Sequence, residues 1–149
     1  MGFLRLKPPH FAVALLAIGV AGHFAVPASI RGGFRCLPCG AALCAAGLGT
    51  MVWAWWLFRR AGTPIRPTDA PARLVAGGPY RVSRNPMYLG IVAILLGVAV
   101  VLGSWPMLVA PAGFVATMSL TFIPFEERRL HATFGEAYAS YVRRVRRWL

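Results

Sequence analysis

The stretch from Gly77 to Gly90 combines turn-forming, cationic and hydrogen-bonding residues at the start of an uncharged apolar segment. Its opening Gly-Gly-Pro predicts a turn, because glycine reaches positive φ freely and proline presets φ. Asn85 and Pro86 then predict the start of a helix, as N-cap and first helical residue. A helix N-terminus has unpaired N–H groups and a partial positive charge, and Arg81 and Arg84 precede this one. These features favour a site for an anionic or polar ligand.

A second group of candidate residues lies in the C-terminal segment, which begins with the pair Glu126-Glu127. Apolar residues recur there at spacings of three and four and share one predicted helical face: Leu130, Phe134, Tyr138, Tyr141, Val145 and Trp148. Five arginines are predicted to point away from that face: Arg128, Arg129, Arg143, Arg146 and Arg147. Glu127 would project with the apolar face, where a carboxylate needs a cation or hydrogen-bond donors. Arg84 is one candidate partner, and a bound cation or a diol is the alternative.

The cysteines do not predict a metal or redox site. Cys36 and Cys39 form a C-x-x-C pair, but the sequence around them has neither a βαβ pattern nor further cysteines and histidines at ligand spacing. With Cys44 the cysteine count is odd. We therefore predict that all three act as small apolar residues and that the protein binds no metal.

The elements that position these residues follow from the composition, which is 58% hydrophobic and only 13% charged over 149 residues. This profile is typical of a bilayer protein. We predict a single domain, 1–149, folded as an all-α membrane bundle of about four helices with an amphipathic C-terminal helix. The predicted spans are 11–30, 37–58, 87–104 and 105–125, with a polar loop over 59–86 and an interfacial or docked helix over 126–149. The first span also resembles a signal peptide, but three further membrane-length segments favour a transmembrane helix.

The formal charge of +12 would indicate nucleic acid binding in a soluble protein. Here the basic residues flank apolar segments, which favours topology signals and contacts with anionic membrane lipid, and no nucleic acid partner is predicted. Among the sixteen lysines and arginines, only Arg31 and Arg35 fall opposite the rest when four spans are assumed. The positive-inside rule then places both termini, the long loop and the active site on the cytoplasmic side, which in a bacterium means the inner membrane.

Two blocks of the sequence together resemble the isoprenylcysteine carboxyl methyltransferase family, whose relatives include membrane phospholipid N-methyltransferases. The first block is Gly78-Pro79-Tyr80-Arg81 followed by Arg84-Asn85-Pro86-Met87-Tyr88-Leu89-Gly90. The second is Glu126-Glu127, Leu130, Phe134-Gly135, Tyr138 and Tyr141. The resemblance extends from Gly62 onward and implies an S-adenosylmethionine-dependent membrane methyltransferase with a lipid-like acceptor.

The resemblance also implies which residues contact S-adenosylmethionine: Leu74, Val75, Tyr80, Asn85, Pro86, Met87, Tyr88 and one glutamate of the pair. The distance to Phe134-Gly135 favours Glu126, whereas the helical periodicity favours Glu127. Arg84 and Glu127 are the predicted catalytic residues. The sequence has no G-x-G-x-x-G after a strand, which excludes a methyltransferase of the Rossmann type.

Two departures from the family pattern concern the acceptor. Asn85 stands where many members carry His, and residues 121–125 lack the arginine that the isoprenylcysteine enzymes carry before the glutamates. A carboxylate acceptor needs a cation but no base, whereas an amine must first lose a proton. The excess of arginines favours the carboxylate of a prenylated cysteine. The alternatives are a phospholipid ethanolamine N-methyltransferase and a non-catalytic membrane protein that binds anionic lipid.

Overall fold

The computed structural model describes residues 8–62 and 73–149, and this part of the chain is entirely helical and irregular, without strands. Within these two ranges, three helices are long and apolar enough to cross a membrane, with 18, 24 and 30 residues. They are α1 (Pro8–Ala25), α2 (Leu37–Arg60) and Trp105–Phe134. Between the last two lies α3 (Pro86–Leu102), an apolar helix of 17 residues. We call Trp105–Phe134 the fourth long helix, because α3 precedes it in the chain. The prediction of an all-α membrane bundle is confirmed.

Helices α2 and α3 pack antiparallel with their backbones in direct contact, because glycines face each other at two levels. A Cβ atom on Gly40 would lie 2.6 Å from the carbonyl oxygen of Gly97, and one on Gly47 would lie 2.5 Å from that of Gly90. Small residues at such positions let membrane helices approach closely. This pair of helices therefore forms a closely packed unit, with the start of α3 next to the end of α2.

Helix α1 packs antiparallel against the fourth long helix. Phe11 near the start of α1 meets Phe122, with ring centroids 5.5 Å apart, and Gly19 near its end lies against Met107. The buried core between these helices and α3 contains Leu95, Ala110, Phe114, Met118, Phe122 and Ile123. Trp148, close to the C-terminus, also packs against this core.

The fourth long helix changes its winding in the middle. It consists of a 3₁₀ turn (Trp105–Leu108), α4 (Val109–Thr117), a π-helical segment (Met118–Phe122) and α5 (Ile123–Phe134). Pro124 is the second residue after the π segment. Proline inside a helix lacks an N–H donor and crowds the carbonyl four residues earlier, and a local widening accommodates it. The helix therefore continues through Pro124, up to Phe134.

The C-terminal segment is divided differently from the single predicted helix over 126–149. Residues 126–134 belong to α5, and Gly135 interrupts the helix with a φ of 51° and a ψ of −123°. A short helix, α6 (Glu136–Arg144), follows, and residues 145–149 are not helical. The positive φ at Gly135 suits a residue without a Cβ atom and redirects the chain.

At the end of the bundle away from Glu126 and Glu127, backbone contacts join the connections between helices. The Trp105 amide donates to the Arg31 carbonyl at 2.8 Å, and the Cys36 amide donates to the Val100 carbonyl at 3.2 Å. Gly103 ends α3 in the left-handed region, with a φ of 60°. The chain thus turns tightly from α3 into the fourth helix.

Cys36 and Cys39 are joined by a disulfide. Our prediction that they act as small apolar residues is therefore wrong. Cys36 is the N-cap of α2 and Cys39 lies in its first turn, which brings their Cα atoms to 5.3 Å, within the range that a disulfide spans. The two cysteines bond to each other, so the disulfide forms without the further cysteines or histidines that a metal site would need. Cys44 is free and half-buried, and its thiol contacts the Ile94 carbonyl oxygen at 3.6 Å.

Candidate active site

The turn predicted before α3 forms and packs against the end of α2. Gly78 has a φ of 57°, and a Cβ atom there would lie 2.7 Å from the Leu57 side chain. A 3₁₀ turn (Gly78–Arg81) buries Tyr80, whose ring centroid lies 5.5 Å from that of Phe58. The turn therefore needs glycine for both its backbone conformation and its close packing.

Helix α6 packs onto this turn instead of presenting its apolar face to lipid. Tyr138, Tyr141 and Val145 are buried in a cluster with Leu74, Ala76, Leu130 and Phe134. The Tyr141 hydroxyl donates to the Tyr80 carbonyl oxygen at 2.7 Å. Of the two arrangements predicted for the C-terminal amphipathic face, the structure shows the docked one.

The two tyrosines of this contact are strongly held in the protonated form. Burial raises the pKa of Tyr141 to about 12, with a smaller contribution from Tyr138. Burial also raises the pKa of Tyr80 well above its ordinary value, and Tyr141 and Glu126 add to the shift. Removal from water disfavours the phenolate, so the Tyr141 hydroxyl remains a donor throughout the physiological range.

Tyr88 and Glu126 connect the two blocks of the sequence directly. The Tyr88 hydroxyl, in the first turn of α3, donates to Glu126 Oε1 in α5 at 2.6 Å. The ring of Tyr88 also lies edge-on to Phe114, with centroids 6.2 Å apart. A carboxyl oxygen that accepts one hydrogen bond leaves the group's other lone pairs free to accept more. Glu126 can therefore accept further donors from a bound ligand.

Glu127, the adjacent carboxylate, is paired with two arginines. Arg147 binds it in a bidentate manner, through Nε at 3.1 Å and Nη2 at 2.6 Å, and Arg84 Nη1 lies 3.2 Å away. The hydrogen bond from Arg147 to Glu127 raises the pKa of that guanidinium further. The two neighbouring glutamates thus have distinct environments, one opposite a hydroxyl and one between two cations.

Asn85 occupies the N-cap position of α3, but its side chain does not cap the helix. The side-chain amide instead donates to the Arg147 carbonyl oxygen at 2.9 Å. The Met87 and Tyr88 N–H groups lie in the first turn, where helical N–H groups lack intrahelical partners, and Pro86 itself has no N–H. The helix start accordingly retains donors and partial positive charge for an anionic group.

The structure brings most of the predicted residues to this one end of the bundle. Tyr80, Arg84, Asn85, Tyr88, Glu126 and Glu127 are connected there by the contacts just described. Leu74 belongs to the apolar cluster under α6, and the next residue, Val75, is half-buried. At the start of α3, Pro86 is buried and Met87 is half-buried. These residues lie in two separate stretches of the sequence, and the fold joins them.

Arg147 was missed as a member of the site, and its predicted outward orientation is wrong. The prediction extended the helical period to the end of the chain, whereas α6 ends at Arg144 and the backbone then turns toward α3. The contacts of Tyr141 with Tyr80 and of Trp148 with Ser119 were missed too. No spacing in the sequence indicates these pairs, since each joins residues from separate elements.

The donor set fits S-adenosylmethionine, which carries an ammonium, a carboxylate, a sulfonium and a ribose diol. Glu126 suits the ammonium or the diol, and the N–H groups at the start of α3 suit the carboxylate. Arg84 Nε is also buried and has no hydrogen-bond partner among the described residues. Within the same residues, no group of three potential metal ligands comes together.

Comparison with known proteins places the chain in a family. The family model described as phospholipid methyltransferase matches residues 36–137, which is more than half of the chain. That range runs from the start of α2 to the beginning of α6 and includes both Tyr88 and Glu126. No curated protein and no solved structure matches the chain. The chain belongs to the phospholipid methyltransferase family and is an integral-membrane methyltransferase.

Proposed function

We propose that the protein transfers a methyl group from S-adenosylmethionine to a lipid acceptor at the end of the bundle that carries Tyr88 and Glu126. The contact between these two residues carries the proposal, because it joins the start of α3 to the acidic pair of α5. A non-catalytic, lipid-binding protein would have no need for a carboxylate kept available at a helix N-terminus.

The residues have separate roles toward the cofactor. Glu126 accepts hydrogen bonds from its ammonium or diol, and the N–H groups of Met87 and Tyr88 meet its carboxylate. Leu74, Val75 and Tyr80 supply apolar and aromatic surface on the adjoining turn. The sulfonium of the cofactor provides an already activated methyl group. The protein's contribution is therefore to align the acceptor with that group and to exclude water.

The acceptor that we favour is the amine of a phospholipid head group. The description of the matching family supports it, and so does the pairing of Arg84 and Arg147 with Glu127, which leaves these cations partly neutralised. An ammonium head group must lose a proton before attack, and Glu126 is a carboxylate suited to accept it. This choice replaces the prenylated-cysteine carboxylate that the excess of arginines favoured.

A prenylated-cysteine carboxylate remains the second candidate acceptor, with one observation in its favour. Arg84 Nε is buried and has no hydrogen-bond partner within residues 8–62 and 73–149, and a carboxylate would satisfy it. Such an acceptor is ionised at neutral pH and needs no base. The two candidates differ in the bond formed, an N-methyl amine in one case and a methyl ester in the other.

The proposal is tested in two steps with protein purified in detergent. Calorimetry should show binding of S-adenosylmethionine or of its demethylated product. If millimolar ligand gives no heat of binding, and the two ligands do not compete, the proposal that the protein is an enzyme is refuted. The protein is then incubated with methyl-labelled cofactor and either phosphatidylethanolamine or a prenylcysteine analogue. Alkali releases methanol from a methyl ester, whereas an N-methyl label stays with the phospholipid. Release of volatile label would favour the second acceptor.

The distribution of cations supports an orientation with both termini and the active site in the cytoplasm. Thiol labelling of intact cells tests it. After mild reduction, Cys36 and Cys39 should react with an impermeant reagent from outside, whereas a cysteine introduced by Ser140→Cys should stay protected. The opposite labelling pattern would reverse the orientation. Thr68, a further candidate position for labelling, lies outside the described residues.

A further inference from the structure

The last five residues, Val145–Leu149, lie outside the range that the family model matches, yet they contact the centre of the candidate site. We call these residues the C-terminal strap. They follow α6 in an irregular conformation and run beside the start of α3. Val145 is buried in the cluster under α6, and Trp148 packs against the main core.

The backbone of the strap accepts hydrogen bonds from three consecutive residues before α3. The Arg84 amide donates to the Arg146 carbonyl oxygen at 3.0 Å. The Arg147 carbonyl oxygen accepts from the Asn85 side chain at 2.9 Å and from the Ser83 hydroxyl at 3.3 Å. The strap therefore holds the polar residues that lead into the helix N-terminus, in place of an ordinary side-chain cap.

Two side chains fasten the strap to the fourth long helix. Arg147 binds Glu127 through both Nε and Nη2, which is the geometry of the stronger charge-assisted pairs. The indole N–H of Trp148 donates to the Ser119 hydroxyl at 3.1 Å, within the π-helical segment. The strap thus links the start of α3 to both the acidic pair and the irregular part of the fourth helix.

We propose that the C-terminal strap is a positioning element of the active site, with Arg147 as its principal positioning residue. Arg147 keeps Glu127 in an ion pair, so that only Glu126 is available to the ligand beside Tyr88. At the same time its carbonyl oxygen orients Asn85 and Ser83 at the helix start. The identity of the ligand as S-adenosylmethionine rests on the function proposed above. The ordering of the start of α3 by the strap does not depend on that function.

The test compares Arg147→Ala with Arg146→Ala in purified, detergent-solubilised protein. Both variants remove a guanidinium from the strap, but only that of Arg147 is hydrogen-bonded to Glu127, and Arg146 is exposed. We expect Arg147→Ala to weaken S-adenosylmethionine binding about tenfold and to raise its KM more than it lowers kcat. Arg146→Ala should stay within twofold. Arg147→Lys should recover part of the affinity, because it restores charge without the bidentate geometry.

Hydrogen exchange of the Arg84 amide provides a readout that does not depend on the cofactor. In Arg147→Ala its protection should fall at least tenfold, while protection in the middle of α3 is retained. Retained Arg84 protection, or unchanged cofactor affinity with a lower melting temperature, would overturn the proposal and leave Arg147 as a purely structural residue. Loss of protection in a protein that binds no cofactor would support the strap and refute the proposed function.

Discussion

The two ends of the helix bundle are held together by different kinds of contact. At the end that contains Cys36, which we call the disulfide end, backbone hydrogen bonds link the elements, such as Trp105 to Arg31 and Cys36 to Val100, and a disulfide closes the first turn of α2. At the end that contains Tyr88, the site end, the links to α5 use side chains. There Tyr88 meets Glu126, and Glu127 meets Arg84 and Arg147.

This difference indicates where the protein can change its contacts without losing its fold. Backbone hydrogen bonds depend little on which side chains are present, and a disulfide is covalent, so the disulfide end serves as a fixed connection. Hydroxyl, carboxylate and guanidinium groups at the site end can exchange protein partners for ligand groups, because both are charge-assisted hydrogen bonds of similar strength. We therefore expect the chemistry at the site end, while the disulfide end keeps the helices in place.

The largest expected effect comes from removing Glu126 at the site end. Glu126→Ala deletes both the ligand for the cofactor and the proposed base, and we expect methyl transfer to fall about a hundredfold or more. Tyr88→Phe, which removes only the hydroxyl donor to Glu126, should cost less, on the order of tenfold. Activity is measured with labelled cofactor. A Glu126→Ala variant that folds and retains full activity would contradict the assignment.

Between the two ends, α2 and α3 are in contact through two facing pairs of glycines, Gly40 with Gly97 and Gly47 with Gly90, which we call the glycine seam. Gly47→Ala places a Cβ atom 2.5 Å from the Gly90 carbonyl oxygen, so we expect a loss of about 1–3 kcal/mol of stability from overpacking. Gly49→Ala is the matched control. Nothing lies within 4 Å of its Cβ position, and alanine at such a helical site is expected to stabilise by up to about 1 kcal/mol. Unfolding in detergent by denaturant compares the two, and equal effects would contradict the seam.

Breaking the disulfide should affect only the disulfide end. The Cys36→Ala/Cys39→Ala variant opens a loop of four residues, for which the chain-entropy relation predicts a loss of at most about 2 kcal/mol. Affinity for S-adenosylmethionine should remain within twofold of the wild-type value, since the disulfide lies at the opposite end of the bundle from Tyr88 and Glu126. Calorimetry after treatment with a dithiol reductant gives an independent measurement. A tenfold loss of affinity would show that the two ends are coupled.

The smallest expected effect is a pH dependence of the site end at alkaline pH. The pKa of Tyr141 is raised to about 12 from an ordinary value of about 10. A raised pKa means that its stabilising effect is complete below about pH 10 and is lost as the pH rises toward 12. The melting temperature of the wild type should therefore fall more steeply between these values than that of Tyr141→Phe. Parallel curves would show that the hydroxyl contributes nothing.

The local features of the sequence predicted much of this arrangement. Apolar segments of membrane length indicated the helices, because backbone groups in lipid must be satisfied within the segment. Gly78-Pro79 predicted the turn, and Asn85-Pro86 predicted where α3 begins, since both follow from residues adjacent in the chain. The disulfide of the C-x-x-C pair also joins residues close in the chain. The prediction of small apolar residues was wrong there, because one helical turn brings the two cysteines within bonding range.

The helical membrane class, the turn before α3 and the two polar blocks follow from composition and from neighbours along the chain, so they could be predicted. The pairing of Glu126 with Tyr88 and of Glu127 with Arg84 and Arg147 depends instead on how the helices pack. Adjacent helical residues point about 100° apart, so a small change in how α5 packs exchanges their partners. The strap likewise depends on where α6 ends and how the chain then turns, and such contacts between distant residues have no local signal.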